Sequence, residues 1–227
     1  MELASRFLRS RQALTSEKAA AAPESGAARI TSRPFIVFTG GPGGGKSSLI
    51  EELRADPAWN GRFVALPETV EVARFLNVSP GEKLFQRVMV NLQMALEDGL
   101  DRGLDRDDPR AVICHRGTLD PLSFWLVRDW PRDEFFDYVG LTLQEHYRRY
   151  HLVLHLVTSA DGVPERYTRW PASHRPEDAQ QAMDLDRLLG DIWNKHPKYY
   201  RIDNRNRDWP AKAAEAKAVL MREWAGQ

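Results

Sequence analysis

Gly40-Gly41-Pro42-Gly43-Gly44-Gly45-Lys46-Ser47-Ser48 is the stretch on which the reading of the whole chain turns. It satisfies the pattern G-x-x-x-x-G-K-[ST], with the apolar run Phe35 to Thr39 before it and a helical stretch, Ser47 to Arg54, opening at its end. The glycines let successive backbone N–H groups turn inward around an anion, the helix start adds its positive dipole end, and Lys46 brings an ammonium to the same place. Ser47 supplies a hydroxyl of the kind that binds Mg²⁺. Gly40 to Ser48 is therefore predicted to hold the phosphates of a purine nucleoside triphosphate, ATP or GTP, together with Mg²⁺. With motif and context both met, a plain glycine-rich turn before a helix is the poorer reading.

Outward from this loop, short apolar runs alternate with amphipathic stretches. Phe35 to Thr39, Arg62 to Leu66, Ala111 to Cys114, Leu152 to Val157 and, more weakly, Tyr199 to Ile202 read as strands. Leu84, Phe85, Val88, Leu92, Ala95 and Leu96 repeat at helical spacing, as do Ala182, Leu185, Leu188, Leu189, Ile192 and Trp193 after Pro176. Further helices are expected over Leu119 to Arg128, Thr142 to Tyr150 and Ala211 to Trp224. Nearly continuous apolar strands alternating with helices predict an α/β fold, a five-stranded parallel sheet with helices on both faces. Ligands of such sheets sit beyond the carboxyl ends of the strands.

The totals narrow the class of protein. The 227 residues suit one α/β domain with a substantial core, and 32 basic against 32 acidic side chains leave no surplus for a nucleic-acid footprint. The lone Cys114 cannot form an intramolecular disulfide, which suits a reducing, cytoplasmic setting. No stretch approaches the ~20 apolar residues of a transmembrane helix. Residues 1–32 are rich in Ala, Ser and Arg and are broken by Pro23 and Gly26, so they read as a flexible N-terminal arm before a nucleotide-binding domain at 33–227. Arg6, Arg9 and Arg11 beside Leu3, Phe7, Leu8 and Leu14 would also suit a transit peptide or surface anchor; Glu2 and Glu17 count against both.

Four further features carry chemistry. Pro67-Glu68-Thr69 ends the second strand and points a carboxylate toward the phosphate site. Glu68 there is a general base or a holder of metal-bound water; the alternative is an acid stabilised at a helix N-terminus. The run Val112-Ile113-Cys114-His115-Arg116-Gly117-Thr118-Leu119-Asp120 leaves a buried strand for a polar turn and a helix. In P-loop proteins this strand normally ends in an Asp that holds Mg²⁺, whereas His115 is a poor partner for a hard hydrated cation, which shifts the task to Glu68 or Asp120. Arg116 is placed to meet a transferring phosphoryl, or else pairs with Asp120 to cap the helix. Arg166, Arg169, His174 and Arg175 form a basic cluster expected to act as a lid, at about 162–180, closing over the triphosphate; a solvated loop is the alternative. Asp203 and Asn204, ending the last strand, are placed for nucleobase contacts. Trp193 and Trp209 read as core or lid packing.

With these segments in view, the chain resembles the P-loop domain of the NadR-like ATPase/kinase family of AAA type, especially the branch of the TRPL translocation defect proteins. Arg149-Tyr150, His155-Leu156-Val157-Thr158-Ser159-Ala160-Asp161-Gly162, Leu185-Asp186, Trp193, His196-Pro197 and Ile202-Asp203-Asn204 are similar to that branch in order and spacing. The likeness runs from about Phe35 to Leu220. It implies a nucleoside-kinase-like fold in the P-loop class, ATP or GTP binding, and a kinase lid after residue 164. The family pattern has Asp-Arg-Gly where this chain has His115-Arg116-Gly117. Relatives in that branch often carry a second, triphosphate-handling domain, which this chain is expected to lack.

Two functions follow as expectations. One is a phosphotransferase moving the γ-phosphoryl to a small-molecule acceptor, with Lys46 and Ser47 holding donor and metal, Glu68 as base or metal organiser, and Arg116, Asp120, Arg166 and Arg169 completing the catalytic set. The other is a nucleotide-controlled binding module or a simple NTPase, toward which His115 points.

Overall fold

The computed structural model describes residues 33–73, 75–167, 177–205 and 208–226. The arm expected at 1–32 lies outside the described residues, as do Arg169, His174 and Arg175 of the expected lid and the side chain of Arg166. The described chain runs β1 (Phe35–Thr39), α1 (Lys46–Ala55), β2 (Phe63–Leu66), α2 (Thr69–Ala73), α3 (Lys83–Gly103) and β3 (Ala111–His115). It continues through α4 (Asp120–Leu126), α5 (Arg132–Val139), α6 (Leu143–Arg148), β4 (Leu152–Leu156), a 3₁₀ turn (Pro164–Arg166), α7 (Ala179–Trp193), β5 (Tyr199–Ile202) and α8 (Trp209–Leu220).

All strand pairs are parallel and the order is β2-β3-β1-β4-β5, so the sheet expected from the apolar runs is present. Both faces are covered, which is why the strands show apolar residues at consecutive positions. Phe35 and Val37 of β1 join Val112, Cys114 and Val153 against Trp125 of α4 and Leu188 and Trp193 of α7. Ile36 and Phe38 face the other layer, with Ile113 and Leu154 against Leu49 and Leu53 of α1 and Ala216 and Leu220 of α8. Fully burying a side chain of this kind stabilises by about 1.5–3 kcal/mol, so the alternation across β1 ties both helical layers to one strand. β1 sits between β3 and β4, with β2 and β3, the next strands in sequence, on one side of it and β4 and β5 on the other. Its carboxyl end is the switch point, and the glycine loop opens there.

Helix boundaries differ from the periodicity reading where local backbone chemistry intervenes. The stretch expected as a helix over Leu119 to Arg128 stops at Leu126, and Asp129 adopts a left-handed φ of 56°. Pro131 and the left-handed Gly140 then bracket α5, a helix that the apolar spacing did not single out. α7 starts at a capping box formed by Asp178 and Gln181 rather than at Pro176. α8 begins two residues earlier than expected because Asp208 accepts from the Ala211 N–H at 3.0 Å. Its final turns, Met221–Ala225, widen into a π-type turn. Among the described residues no helix is long and apolar enough to cross a membrane.

Candidate functional site

The glycine loop owes its shape to left-handed turns: φ is 122° at Gly40, 73° at Gly43 and 92° at Gly45. At Gly45 a side chain is excluded twice, by that φ and by the Trp209 ring lying where a Cβ would stand. Lys46 is buried at the neck, its ammonium 2.7 Å from the Gly40 carbonyl and 3.0 Å from that of Gly41. Ser47 and Ser48 are exposed at the start of α1 and line one groove with Gly43, Gly44, Gly45 and Lys46.

Residues distant in the chain hold this loop from behind. Asp186 on α7 accepts the N–H of Gly41 at 2.7 Å and of Thr158 at 3.0 Å on one oxygen, and His155 Nε2 lies 3.1 Å from the same atom. Burial alone would raise the Asp186 carboxyl; His155 and the two backbone N–H groups outweigh it and hold the carboxyl below its ordinary value. The Thr158 hydroxyl donates to the Pro42 carbonyl. Lys212 of α8 donates to the carbonyls of Gly44 at 3.0 Å and Val157 at 2.6 Å, and to Asn204 Oδ1 at 2.9 Å. Asn204, expected beside a nucleobase, spends its amide on the carbonyls of Thr158 at 2.7 Å and Asp161 at 2.8 Å, so its side chain is a brace. The Asp203 carboxylate accepts from the Arg205 N–H at 3.1 Å and lies 3.6 Å from Arg201.

On the other side of the loop, β2 and β3 deliver a compact charged group. Glu68 is buried just beyond β2, and Arg116 Nε donates to it at 3.1 Å. A second Arg116 nitrogen lies 3.8 Å from Asp120. Burial works against the Arg116 charge, and the carboxylates of Glu68 and Asp120 more than compensate, raising its pKa. Arg116 is a non-glycine residue at φ 85°, a backbone state that costs about 1–3 kcal/mol and persists only where its surroundings impose it. The following Gly117 is required because a Cβ there would stand 2.7 Å from the Trp193 ring. Asp120 is fully buried and accepts from the Thr39 hydroxyl at 2.9 Å and from Trp193 Nε1 at 3.0 Å. Burial raises its carboxyl above the ordinary value, against the pull of Arg116, Thr39 and Trp193. These are closer ties than its ion pair to Arg116. His115 Nε2 lies 3.0 Å from Ser47 Oγ, and its Nδ1 is 3.9 Å from Glu68.

Two clefts meet at this group. One is the polar groove of the glycine loop, which also reaches Glu68, Glu71 and His115. The other is mainly apolar, walled by Phe85, Met89, Pro121 and Phe124, and it too is bordered by Glu68, with Arg116 and Asp120 on its rim. Gln86 and Gln93 of α3 line it and were not singled out from the sequence. A signal existed: Gln86, Gln93 and Glu97 share the buried face of α3, polar residues at helical spacing where apolar ones are the rule. Asp186 and Lys212, also missed as site residues, left no such mark, because nothing in their neighbourhoods predicts contact with Gly41 or Gly44.

A family model described as an AAA domain matches residues 35–212. The chain belongs to this AAA domain family. No curated protein sequence matches it. Among solved structures it is similar to NadR in complex with NR, at 12% identity and a TM-score of 0.57, over 84% of this chain and 50% of that one. NadR in complex with NAD and AMP-PNP aligns at 15% identity and a TM-score of 0.56, over 85% of this chain and 50% of that one. Deoxyadenosine kinase from M. mycoides with bound dATP aligns at 14% identity and a TM-score of 0.55, over 83% of this chain and 99% of that one. The AAA domain described here thus has the P-loop nucleoside-kinase fold that the resemblance implied, and it spans about half the length of the NadR chains it matches.

Proposed function

We propose that this chain is a kinase that moves the γ-phosphoryl of a purine nucleoside triphosphate to a hydroxyl of a small acceptor. The observation that carries this reading is Glu68, which borders both the phosphate groove and the apolar cleft. Triphosphate seated on Gly40 to Ser48 and an acceptor in the cleft would meet at its carboxylate. The acceptor oxygen forms a bond to the γ-phosphorus, its proton passes to Glu68, and the bond from the γ-phosphorus to the bridging oxygen breaks, releasing the diphosphate. Arg116, fixed by Glu68 and Asp120, supplies positive charge at this junction. The same proposal includes Arg166 and Arg169 as lid arginines that neutralise the transferring group, and 33–227 as the unit that carries the reaction.

The residues present fit a hydrated Mg²⁺. Such an ion takes one or two protein oxygens and leaves the rest to phosphates and water, and the Ser47 hydroxyl and the Glu68 carboxylate both border the groove. Bound there, it would neutralise charge on the β- and γ-phosphates. ATP is favoured as donor by the lack of a guanine-reading Asn-Lys-x-Asp motif; the resemblance to the TRPL translocation defect branch favours GTP. A second reading, a nucleotide-regulated binding module or slow NTPase, has one specific observation behind it: an imidazole, where the family pattern has a carboxylate, faces Ser47.

Calorimetric titration with non-hydrolysable ATP and GTP analogues, with and without Mg²⁺, followed by an acceptor screen, tests the proposal. Lys46→Ala is expected to abolish analogue binding. Glu68→Gln is expected to keep it within about threefold and to lower acceptor-dependent turnover about 100-fold or more. Unchanged turnover in Glu68→Gln would sink the role assigned to this carboxylate, and triphosphate hydrolysis indifferent to every acceptor would favour the second reading.

A further inference from the structure

The apolar cleft contains one polar atom whose orientation is dictated from behind. Gln93 lines the cleft and is 1% exposed, and its amide nitrogen donates to Glu97 Oε1 at 2.9 Å. Its oxygen is buried and has no hydrogen-bond partner among the described residues. Glu97, also 1% exposed, receives Arg149 Nε at 3.0 Å and a second Arg149 nitrogen at 2.9 Å on its other oxygen, and the Tyr150 hydroxyl at 2.8 Å. Burial raises the Glu97 carboxyl and Arg149 opposes that rise. Paired in this way as a carboxylate, Glu97 can only accept hydrogen bonds. The Gln93 amide must therefore turn its NH₂ to Glu97, which leaves the carbonyl with no donor from the protein. The same network reaches the chemistry, because Tyr150 accepts from the Thr118 N–H at 2.7 Å, two residues beyond Arg116.

We propose that Glu97 is a positioning residue that fixes the Gln93 carbonyl as an unpaired acceptor on the wall of the apolar cleft, so that the cleft selects a phosphoryl acceptor bearing an N–H donor on a flat, otherwise apolar group. The proposal rests on the kinase reading above. The side chains of Phe85, Met89 and Phe124 enclose the body of such a molecule, and its hydroxyl is turned to Glu68 at the junction with the phosphate groove. A molecule with the same shape and no donor leaves the Gln93 oxygen unpaired and cut off from water. A molecule that presents only acceptors meets it with like partial charge. Both are discriminated against, because a buried polar group without a partner is what penalises the wrong substrate.

Matched acceptor pairs test this, using nucleosides because they join a primary hydroxyl to a flat ring: 2′-deoxyadenosine against the same deoxyriboside lacking the 6-amino group, and cytidine against its analogue lacking the 4-amino group. The readout is the ratio of kcat/KM within each pair at saturating ATP or GTP, which a general loss of fold or activity does not move. Wild type is expected to favour the amino-bearing member of at least one pair by about tenfold or more. Gln93→Leu, which leaves the Glu97–Arg149 pair in place, is expected to bring that ratio near one. Glu97→Gln, folded by its melting curve, is expected to lower or invert it, since a neutral amide can donate to Gln93 and turn it over. A wild-type ratio near one, or a ratio untouched by Gln93→Leu, overturns the inference while the kinase reading stands. A folded Glu97→Gln with the wild-type ratio removes Glu97 from the account. Absence of phosphorylation of every member, with analogue binding intact, overturns this inference, and the kinase reading falls with it only if the wider acceptor screen also finds no acceptor-dependent turnover.

Discussion

His115 and Ser47 face each other at the entrance of α1, the imidazole Nε2 3.0 Å from the hydroxyl oxygen. In the proposed kinase the hydroxyl would meet a hydrated Mg²⁺, and the imidazole follows the strand that in P-loop proteins ends in a carboxylate for the same ion. An imidazole, unlike a carboxylate, adds no negative charge to a hard-cation site. His115→Asp is therefore expected to tighten Mg²⁺-dependent analogue binding by about tenfold, a gain of about 1.4 kcal/mol. Titration of Mg²⁺ into the protein with bound analogue reads it, and an unchanged Mg²⁺ requirement would show that metal placement does not depend on this residue.

Asp186 gathers the N–H groups of Gly41 and Thr158 onto one oxygen. Removing that acceptor leaves two buried donors unpaired, each costing about 1–3 kcal/mol. Asp186→Leu is expected to weaken analogue binding and to lower the melting temperature. Asp186→Asn keeps one acceptor oxygen and should recover most of the binding. Equal loss in both variants would mean that charge opposite His155, rather than the backbone bonds, is what matters.

Gly45→Ala combines a left-handed φ of 92° with a methyl group driven into the Trp209 ring. The expected cost is about 2–4 kcal/mol in chemical denaturation, from backbone strain and overpacking together. Adding Trp209→Leu should return the overpacking part and leave the strain. A double variant no more stable than the single one would show that the ring is not the obstacle.

His146 is buried against Phe135 and Phe136, with Nδ1 2.8 Å from the Thr118 hydroxyl. Burial first and the Arg149 charge second push its pKa down to about 3 from an ordinary 6.5. The unfolded chain then binds more protons than the folded one between those values, so stability is full above about pH 6.5 and drains away as the pH falls toward 3. The loss from this group between about pH 7.5 and about pH 5 is roughly 2 kcal/mol. His146→Gln, which retains a polar group for Thr118, should flatten that part of the stability curve in urea denaturation. An unaltered acid limb would place the proton uptake elsewhere.

The fold was largely legible in residue order because its signals are local. Five apolar runs, a glycine loop between one of them and a helix, and helical spacing elsewhere suffice to specify a parallel sheet covered on both faces. The position of Glu68 beside the groove was legible for the same reason, since a carboxylate at a strand end lies on the ligand side of such a sheet whatever its neighbours do. α5 was not, being bracketed by Pro131 and Gly140 rather than by an apolar stripe. Asn204 was read as a base contact from its place at a strand end; its partners are the carbonyls of a loop more than forty residues away in sequence.

What residue order determined by itself is the glycine loop of Gly40 to Ser48 between a strand and a helix, because that motif is defined by residue type and spacing over a few positions. What only the packed structure decided is the company around that cradle. Asp186 and Lys212 brace it, His115 faces Ser47, and Glu68 lies where two clefts meet. The physical reason is range. Strand, turn and helix propensities act over a few residues, whereas a buried charge finds its partner only when sheet order and helix packing bring remote segments within hydrogen-bonding distance.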